Sequence, residues 1–293
     1  MSDDPSNTPQ ARGTPAPDAV VAVSSSVARG TVGNRAAAHA IEALGHPVWS
    51  VPTILLPWHP GQGPGTRVGW PSDAFGSLLG DLASSPKLRE VGAVLSGYLG
   101  GAEQAEAIAS LVRALRGRRP AIYCCDPVIG NARGRYVPEP IALAIRDRLV
   151  PLADIATPNR FELAWLTGGT VPDAIEDVAG LARRLGPPTV LVTSVRVEDR
   201  RISTLLTTPD GAFLATHERI DAPNAGTGDL SAALFVARTL EGERPQEALR
   251  LALAGAVEAM LAEAGAGADE LPLERIHDRL REPRAKVRVE RIG

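Results

Sequence analysis

The stretch Asp221-Ala-Pro-Asn-Ala-Gly-Thr-Gly-Asp229 runs directly into Leu230-Ser-Ala-Ala-Leu-Phe-Val-Ala-Arg238. Gly226 and Gly228 let the backbone turn tightly and come close to a ligand. The apolar periodicity behind them predicts a helix over residues 229–240 whose first turn faces whatever the loop holds. Free N–H groups and the helix dipole draw phosphate oxygens to such a start. Gly226, Thr227 and Gly228 are therefore the candidate anion cradle, and Asp229 is a carboxylate placed where negative charge gathers. Its economical use is to accept a proton from a hydroxyl that attacks a phosphoryl group, while the amides of residues 226–229 stabilise the developing charge. A Gly-rich loop with an Asp capping the helix is the plain alternative, and the short motif taken alone favours it. The rest of the chain has to decide between the two.

Outward from this loop, strands and helices alternate. Residues 20–23 predict a buried strand, 24–34 a polar loop and 35–44 a helix stopped by Gly45; 48–56 is extended. Pro57-Trp-His-Pro-Gly-Gln-Gly-Pro-Gly65 reads as a shaped loop fit to act as a lid. Helices are expected over 72–83, 103–115, 140–149, a start at 161–166, and 173–185. Strands are expected over 92–96, 121–125, 154–157 and 189–193, with a hairpin of 202–207 and 212–217 turning at Pro209-Asp-Gly211. Further helices follow at 245–264 and, more weakly, 273–280. Such alternation implies an α/β fold with a mostly parallel sheet covered by helices on both faces. Ligands collect at the carboxyl ends of strands in such sheets, which puts Ser25, Asp126, Thr157, Thr193 and the Gly226 loop along one edge. Residues 1–18, rich in Pro, Ser, Asp and Thr, predict a disordered tail. Residues 19–293 read as a single domain.

Composition narrows the function classes. The 293 residues are 44% hydrophobic and 22% charged with a formal net charge of −3, which describes an ordinary globular protein. There is no polybasic run, and aromatic residues make up only 4%, so neither a nucleic-acid patch nor a stacking platform is expected. No run of about 18 apolar residues marks a membrane span, and no signal-peptide pattern opens the chain. The only cysteines, Cys124 and Cys125, are adjacent on a buried strand and point to opposite faces, which fits a reducing, cytoplasmic setting. The only lysines are Lys87 and Lys286, so the Gly-x4-Gly-Lys phosphate loop is absent. No Gly-x-Gly-x-x-Gly follows the first strand, which disfavours a nicotinamide-dependent dehydrogenase.

Two carboxylates, Asp126 before Pro127 and Glu162 early in a helix, stand just past strand ends and suit Mg²⁺ carried on a nucleotide. Taken singly, each is as readily a turn residue or a helix-dipole partner. Beside Asp229 on one rim they compose a phosphoryl-transfer site.

Six stations in order carry a family likeness: residues 24–34, Leu95-Ser-Gly-Tyr-Leu-Gly100, Cys125-Asp-Pro-Val-Ile-Gly130, Thr157-Pro-Asn-Arg-Phe-Glu162, Val190-Leu-Val-Thr-Ser194 and Gly226-Thr-Gly-Asp-Leu230. From about Val20 to the last helices the chain resembles the pyridoxal kinases of the ribokinase-like superfamily. The resemblance implies a three-layer sandwich and an ATP-dependent phosphotransferase with an alcohol acceptor. The acceptor would be the 5′-hydroxymethyl of pyridoxal, with pyridoxine and pyridoxamine as further acceptors. It implies that Asp229 is the base and that Gly226, Thr227 and Gly228 form the anion hole. Ser25 would touch the substrate ring under a loop bearing His59, Pro60 and Gly61. Asp126 and Glu162 would act through Mg²⁺, with Asn131 as a further oxygen ligand and Thr157 helping to hold a monovalent cation, K⁺ or Na⁺. Asn159, Thr193, Ser194, Ile220, Asp221, Ala222 and Thr227 would surround ATP. A homodimer is also implied.

The chain departs from the family pattern twice. Pro57-Trp-His-Pro60 replaces Ser-Asn-His-Thr in the substrate loop, and Asn131 stands where an acidic residue commonly follows Asp-Pro-Val-x-Gly. A hydroxymethylpyrimidine kinase of the same superfamily is the nearest alternative. A non-catalytic binder of pyridoxal or its phosphate is the alternative from another class.

Overall fold

Val20, Val21, Ala22 and Val23 are wholly buried, although they alternate in direction along one strand. A strand buried on both faces must lie inside a sheet with helices above and below, because only that covering removes both rows of side chains from water. The computed structural model, which describes residues 17–71, 73–222 and 225–292, has this architecture. Residues 1–16 of the expected tail lie outside the described residues, as do Ser72 of the expected second helix and Pro223 and Asn224 of the Asp221–Asp229 stretch. Asp18 is part of the fold: its carboxylate pairs with Arg119 at 2.6 Å and its carbonyl lies 2.9 Å from His46 Nδ1.

The first half of the chain comprises β1 (Ala19–Val27), α1 (Asn34–Ala43), β2 (Val48–Leu56), α2 (Ala74–Ser84), β3 (Val91–Ser96), α3 (Gln104–Arg116) and β4 (Ile122–Cys125). A short hairpin, β5 (Gly130–Asn131) and β6 (Gly134–Arg135), interrupts the alternation before α4 (Glu139–Ala144), which a π turn over Ile145–Leu149 extends. Then come β7 (Ile155–Ala156), α5 (Arg160–Thr167), α6 (Ile175–Arg184), β8 (Thr189–Val197), β9 (Arg201–Thr208) and β10 (Gly211–Glu218). The chain closes with α7 (Thr227–Leu240), α8 (Pro245–Ala266), α9 (His277–Arg281) and β11 (Arg288–Ile292).

Among the described residues nine strands form one sheet in the order β11-β10-β9-β8-β7-β4-β3-β1-β2. From β2 to β8 the pairing is parallel; β8, β9, β10 and β11 pair antiparallel. On one face Val20, Ala22, Leu95 and Cys124 pack with α1, α7 and α8. On the other, Val21, Val23, Val94 and Cys125 pack with α2, α3 and α4. A third cluster joins α6 to β8, β9 and β10. The adjacent cysteines thus belong to different layers, and burial pushes both thiols up, Cys125 to about 12, so neither is poised to react.

Two expectations change. The 24–34 stretch is not all loop, because β1 runs on to Val27 beside β2, with a register shift between Ser24 and Ser26. A C-terminal strand, β11, pairs with β10 where only helices were expected; its exposed, charged sequence Arg-Val-Glu-Arg-Ile hides an edge strand from any pattern of burial.

Candidate active site

α7 is apolar nearly all round, with Leu230 and the run from Ala232 to Arg238 buried, so its position is fixed by core packing on both sides. That packing aims its N-terminus at the carboxyl ends of β1, β4 and β7. Gly226 precedes it at φ 85, and a Cβ there would run into the Thr31 carbonyl, so only glycine brings the loop this close to the chain leaving β1. Gly33, at φ 58, is forced in the same way by the Ser25 carbonyl and hydroxyl. These two close approaches bring the Gly226 loop, the end of β1 and the start of α1 together.

A cavity of about 840 Å³ opens there, within the range of small-molecule sites. It is lined by Ser25, His59, Pro60, Gly61, Asp126, Asn131, Thr157, Asn159, Glu162, Thr193 and residues 225–229. Sequence separations of more than 200 residues thus converge on one rim. Ser194, Ile220, Asp221 and Ala222 are not among the lining residues. Ser194 follows Thr193 at φ 49, and Ile220 packs partly buried on the α7–α8 core.

Three carboxylates, of Asp126, Glu162 and Asp229, line this space. Burial pushes the Asp229 carboxyl up, while the Gly33 backbone N–H, nearby His59 and its own backbone N–H pull it back. The Asp126 carboxyl is held well above its ordinary range, first by burial and then by Glu162 and Asp229; Thr157 Oγ1 donates to it at 2.9 Å and opposes the rise. Glu162 is pushed up to about 7 by burial against three backbone donors. Its Oε1 accepts from the N–H groups of Ile129 and Gly130 at 2.8 and 3.3 Å, and its Oε2 accepts from Asn159 N–H at 2.9 Å. Asn159 Oδ1 accepts in return from Glu162 N–H at 3.0 Å, completing a capping box at the start of α5.

These bonds give Glu162, Asn159 and Asn131 work that their sequence context did not reveal. Glu162 and Asn159, whose Nδ2 also donates to the Gly130 carbonyl at 2.7 Å, clamp the loop 126–130. In that loop Val128 sits at φ 44, a left-handed conformation costly for a β-branched residue and sustained only by such clamping. Asn131 Oδ1 accepts from Arg133 N–H at 2.9 Å and shapes the tip of the β5–β6 hairpin. Among the described residues no group of three or more His, Cys, Asp or Glu side chains is gathered to hold a metal ion.

The Pro57–Gly65 loop forms a short 3₁₀ turn, Pro60–Gln62, with His59 Nδ1 accepting the Gly61 N–H at 3.2 Å. Trp58 does not fill the cavity; it is exposed and its Nε1 donates to the Gly63 carbonyl at 3.2 Å, fastening the loop to itself. Gln62 reaches across to Glu270 at 3.0 Å and accepts from Arg29 at 3.0 Å, so this loop is tied to the connection after α8. Tyr98 lines the cavity and accepts from Arg67 at 2.7 Å. Arg67, Arg133 and Tyr136 are wall residues that no local sequence signal marked; they meet the cavity only through folding.

The phosphomethylpyrimidine kinase family model matches residues 87–274. Pyridoxal kinase PdxY of Rubrobacter xylanophilus is 36% identical over 286 residues, covering 94% of this chain and 97% of the relative. The Corynebacterium diphtheriae protein of the same name is 33% identical and covers 94% and 99%. Among solved structures, Leishmania donovani pyridoxal kinase in complex with ADP and pyridoxamine superposes with a TM-score of 0.86 at 26% identity, covering 94% of this chain and 100% of that one. Pyridoxal kinase from Entamoeba histolytica matches the fold with a TM-score of 0.86 at 22% identity over 94% and 100%. With these likenesses spanning the β1 edge, the Gly226 loop and everything between, the chain belongs to the pyridoxal kinase family and has its ribokinase-like fold.

Proposed function

We propose that this protein transfers the γ-phosphoryl group of ATP to the 5′-hydroxymethyl of pyridoxal, and to pyridoxine and pyridoxamine as related acceptors, giving pyridoxal 5′-phosphate in vitamin B6 salvage. The observation that carries the reading is Asp229 at the glycine-shaped start of α7, sharing one cavity with Asp126, Ser25 and His59. Asp229 accepts the hydroxyl proton as the oxygen attacks phosphorus. The N–H groups following Gly226 face the charge that builds on the phosphoryl oxygens. Ser25 and the His59–Gly61 lid enclose the ring. Asn159 and Thr193 lie together at the nucleotide end, where Thr193 N–H donates to the Pro158 carbonyl at 3.0 Å.

Mg²⁺ fits this donor set when it arrives on the nucleotide. Asp126 offers a hard oxygen, and the nearby Glu162 and Asp229 charges that raise its carboxyl favour a cation beside it, while Glu162 spends its oxygens on backbone donors. Asp126 would hold the ion directly or through its waters, and Thr157 keeps that carboxylate oriented. The ion's chemistry when bound is to neutralise charge on the phosphates. A monovalent cation near Thr157, a homodimer and a cytoplasmic location complete the proposal.

The experiment is ATP- and Mg²⁺-dependent phosphate transfer to pyridoxal, with hydroxymethylpyrimidine in parallel. The family-model match to phosphomethylpyrimidine kinases is the observation behind the second reading. Transfer to pyridoxal establishes the first, and transfer only to the pyrimidine establishes the second. Binding of pyridoxal with transfer to neither would make the protein a sensor. Size-exclusion chromatography with light scattering tests the dimer.

A further inference from the structure

Phosphoryl transfer spreads negative charge over three equatorial oxygens, and enzymes meet it with preplaced cations. This chain has no lysine near the site, so the cation has to come from elsewhere. Among the described lining residues the cationic candidates are His59, Arg67 and Arg133. His59 belongs to the substrate lid. Arg67 is engaged: it donates to the Tyr98 hydroxyl at 2.7 Å and its guanidinium lies 5.9 Å from the centre of that ring. Arg133 differs. Its backbone N–H is held by Asn131, yet its guanidinium makes no hydrogen bond or ion pair among the described residues. Its hairpin neighbour Arg135, by contrast, donates to the Val137 carbonyl at 3.1 Å and faces Glu139 at 3.9 Å.

The hairpin's anchoring is elaborate for a two-residue ladder. Gly130 pairs with Arg135 and Asn131 with Gly134, leaving Ala132 and Arg133 as the turn. Its root is clamped by Glu162 and Asn159 on the Ile129 and Gly130 backbone, and Asn131 pins the turn itself. So much fixation of the support, with a long flexible cation left unbound at its end, suits a residue that waits for an anion.

We propose that Arg133 is a catalytic residue of this enzyme, delivered by the β5–β6 hairpin to the transferring phosphoryl group. The proposal rests on the kinase reading above. In the step, the bond from the γ-phosphorus to the bridging oxygen breaks and ADP leaves with the electron pair. The bond from phosphorus to the 5′-oxygen of the acceptor forms, and the hydroxyl proton passes to Asp229. Arg133 neutralises charge on the equatorial and bridging oxygens as the two bonds exchange. Glu162, Asn159 and Asn131 act through it as positioning residues.

Arg133→Gln and Arg133→Lys test this. Arg133 is exposed and its hairpin bond uses the backbone, so both variants are expected to fold and melt like the parent. R133Q should lower kcat by about 100-fold, the scale for loss of one transition-state donor, with KM for pyridoxal unchanged; R133K should recover part of the loss. A readout that a structural role would leave alone is the binding of ADP with aluminium fluoride and pyridoxal, a mimic of the phosphoryl group in flight. R133Q should lose the extra tightness of that complex while binding ADP alone as the parent does. A parent enzyme that transfers phosphate to pyridoxal alongside an R133Q variant within about threefold of it would overturn the assignment of Arg133 and leave the kinase reading intact. Equal weakening of ADP and of the mimic would likewise overturn it, and a parent without transfer would remove the kinase reading itself.

Discussion

Replacing Asp229 with Asn removes the proton acceptor and little else. The native carboxylate is half-buried, and the Gly33 backbone N–H and its own backbone N–H both act to lower its carboxyl. An Asn carboxamide can turn its oxygen to the same two donors, so the start of α7 keeps its partners and the substitution exchanges a charged group for a neutral one of equal size. Because burial already pushes the carboxyl up, the fold gains slightly by losing the charge, and a melting temperature equal to or above that of the parent is expected. Catalysis has no such compensation. General base catalysis is worth about 10² to 10⁴ in rate, and at about 1.4 kcal/mol per decade this is roughly 3–5 kcal/mol of barrier. The assay is single-turnover phosphate transfer to pyridoxal at saturating ATP and Mg²⁺, with pyridoxal binding measured separately by absorbance. D229N should bind pyridoxal within a few-fold of the parent while kcat falls by at least about 100-fold. A folded D229N that turns over within about tenfold of the parent would refute Asp229 as the base. A large loss of pyridoxal affinity with little change in kcat would make it a binding residue only.

Four further outcomes are expected. Gly226→Ala places a side chain at φ 85 against the Thr31 carbonyl, which costs roughly 1–2 kcal/mol for the left-handed backbone alone and shifts the N–H groups behind it. Transfer should fall at least tenfold with a lower melting temperature, and an unchanged enzyme would show that the loop is not held as described. Glu162→Ala strips the acceptor from three backbone N–H groups around the strained Val128, so a loss of about 2–5 kcal/mol is expected and calorimetry checks it. The sign of the pH dependence follows from the same group: its carboxyl, near 7 in the fold, holds its proton more tightly folded than unfolded. Its contribution to the stability of the ligand-free protein should therefore be full below about pH 4.5 and decline by up to about 3 kcal/mol as pH rises through 7, a decline that is smaller in the Ala variant. In kinetics, Asp229 must be ionised to act and burial raises its carboxyl, so the acid limb of kcat/KM should lie above the ordinary Asp range near 3.8; a limb at or below that value would contradict the buried geometry.

The alternation of strands and helices was legible because each element carries its own period. α7 and the parallel strands announced themselves by unbroken apolar runs, and the ends of β1, β4, β7 and β8 carried the polar residues that mark a ligand edge. β11 was not legible, since an exposed edge strand has no apolar period and is defined by its partner β10. Residue types pointed to Asp229 and Asp126, and both line one cavity. The same types said less about Glu162 and Asn131, because a carboxylate that binds a cation and one that binds backbone N–H groups look alike in sequence. Only the positions of Ile129, Gly130, Asn159 and Arg133 distinguish them.

Local chemistry therefore sufficed for what depends on neighbours in the chain: the glycines that shape the loop before α7, the alternation of strands and helices, and the absence of a lysine phosphate loop. Tertiary structure decided what depends on contacts across the fold. It brought Thr31 onto Gly226 and Ser25 onto Gly33, tied the Pro57–Gly65 loop to Glu270, and left the Arg133 guanidinium without a partner among the described residues while it engaged Arg67 and Arg135. A side chain's partner, and with it its charge state and its task, is set by which distant residues packing delivers to it, and spacing along the chain does not encode that delivery.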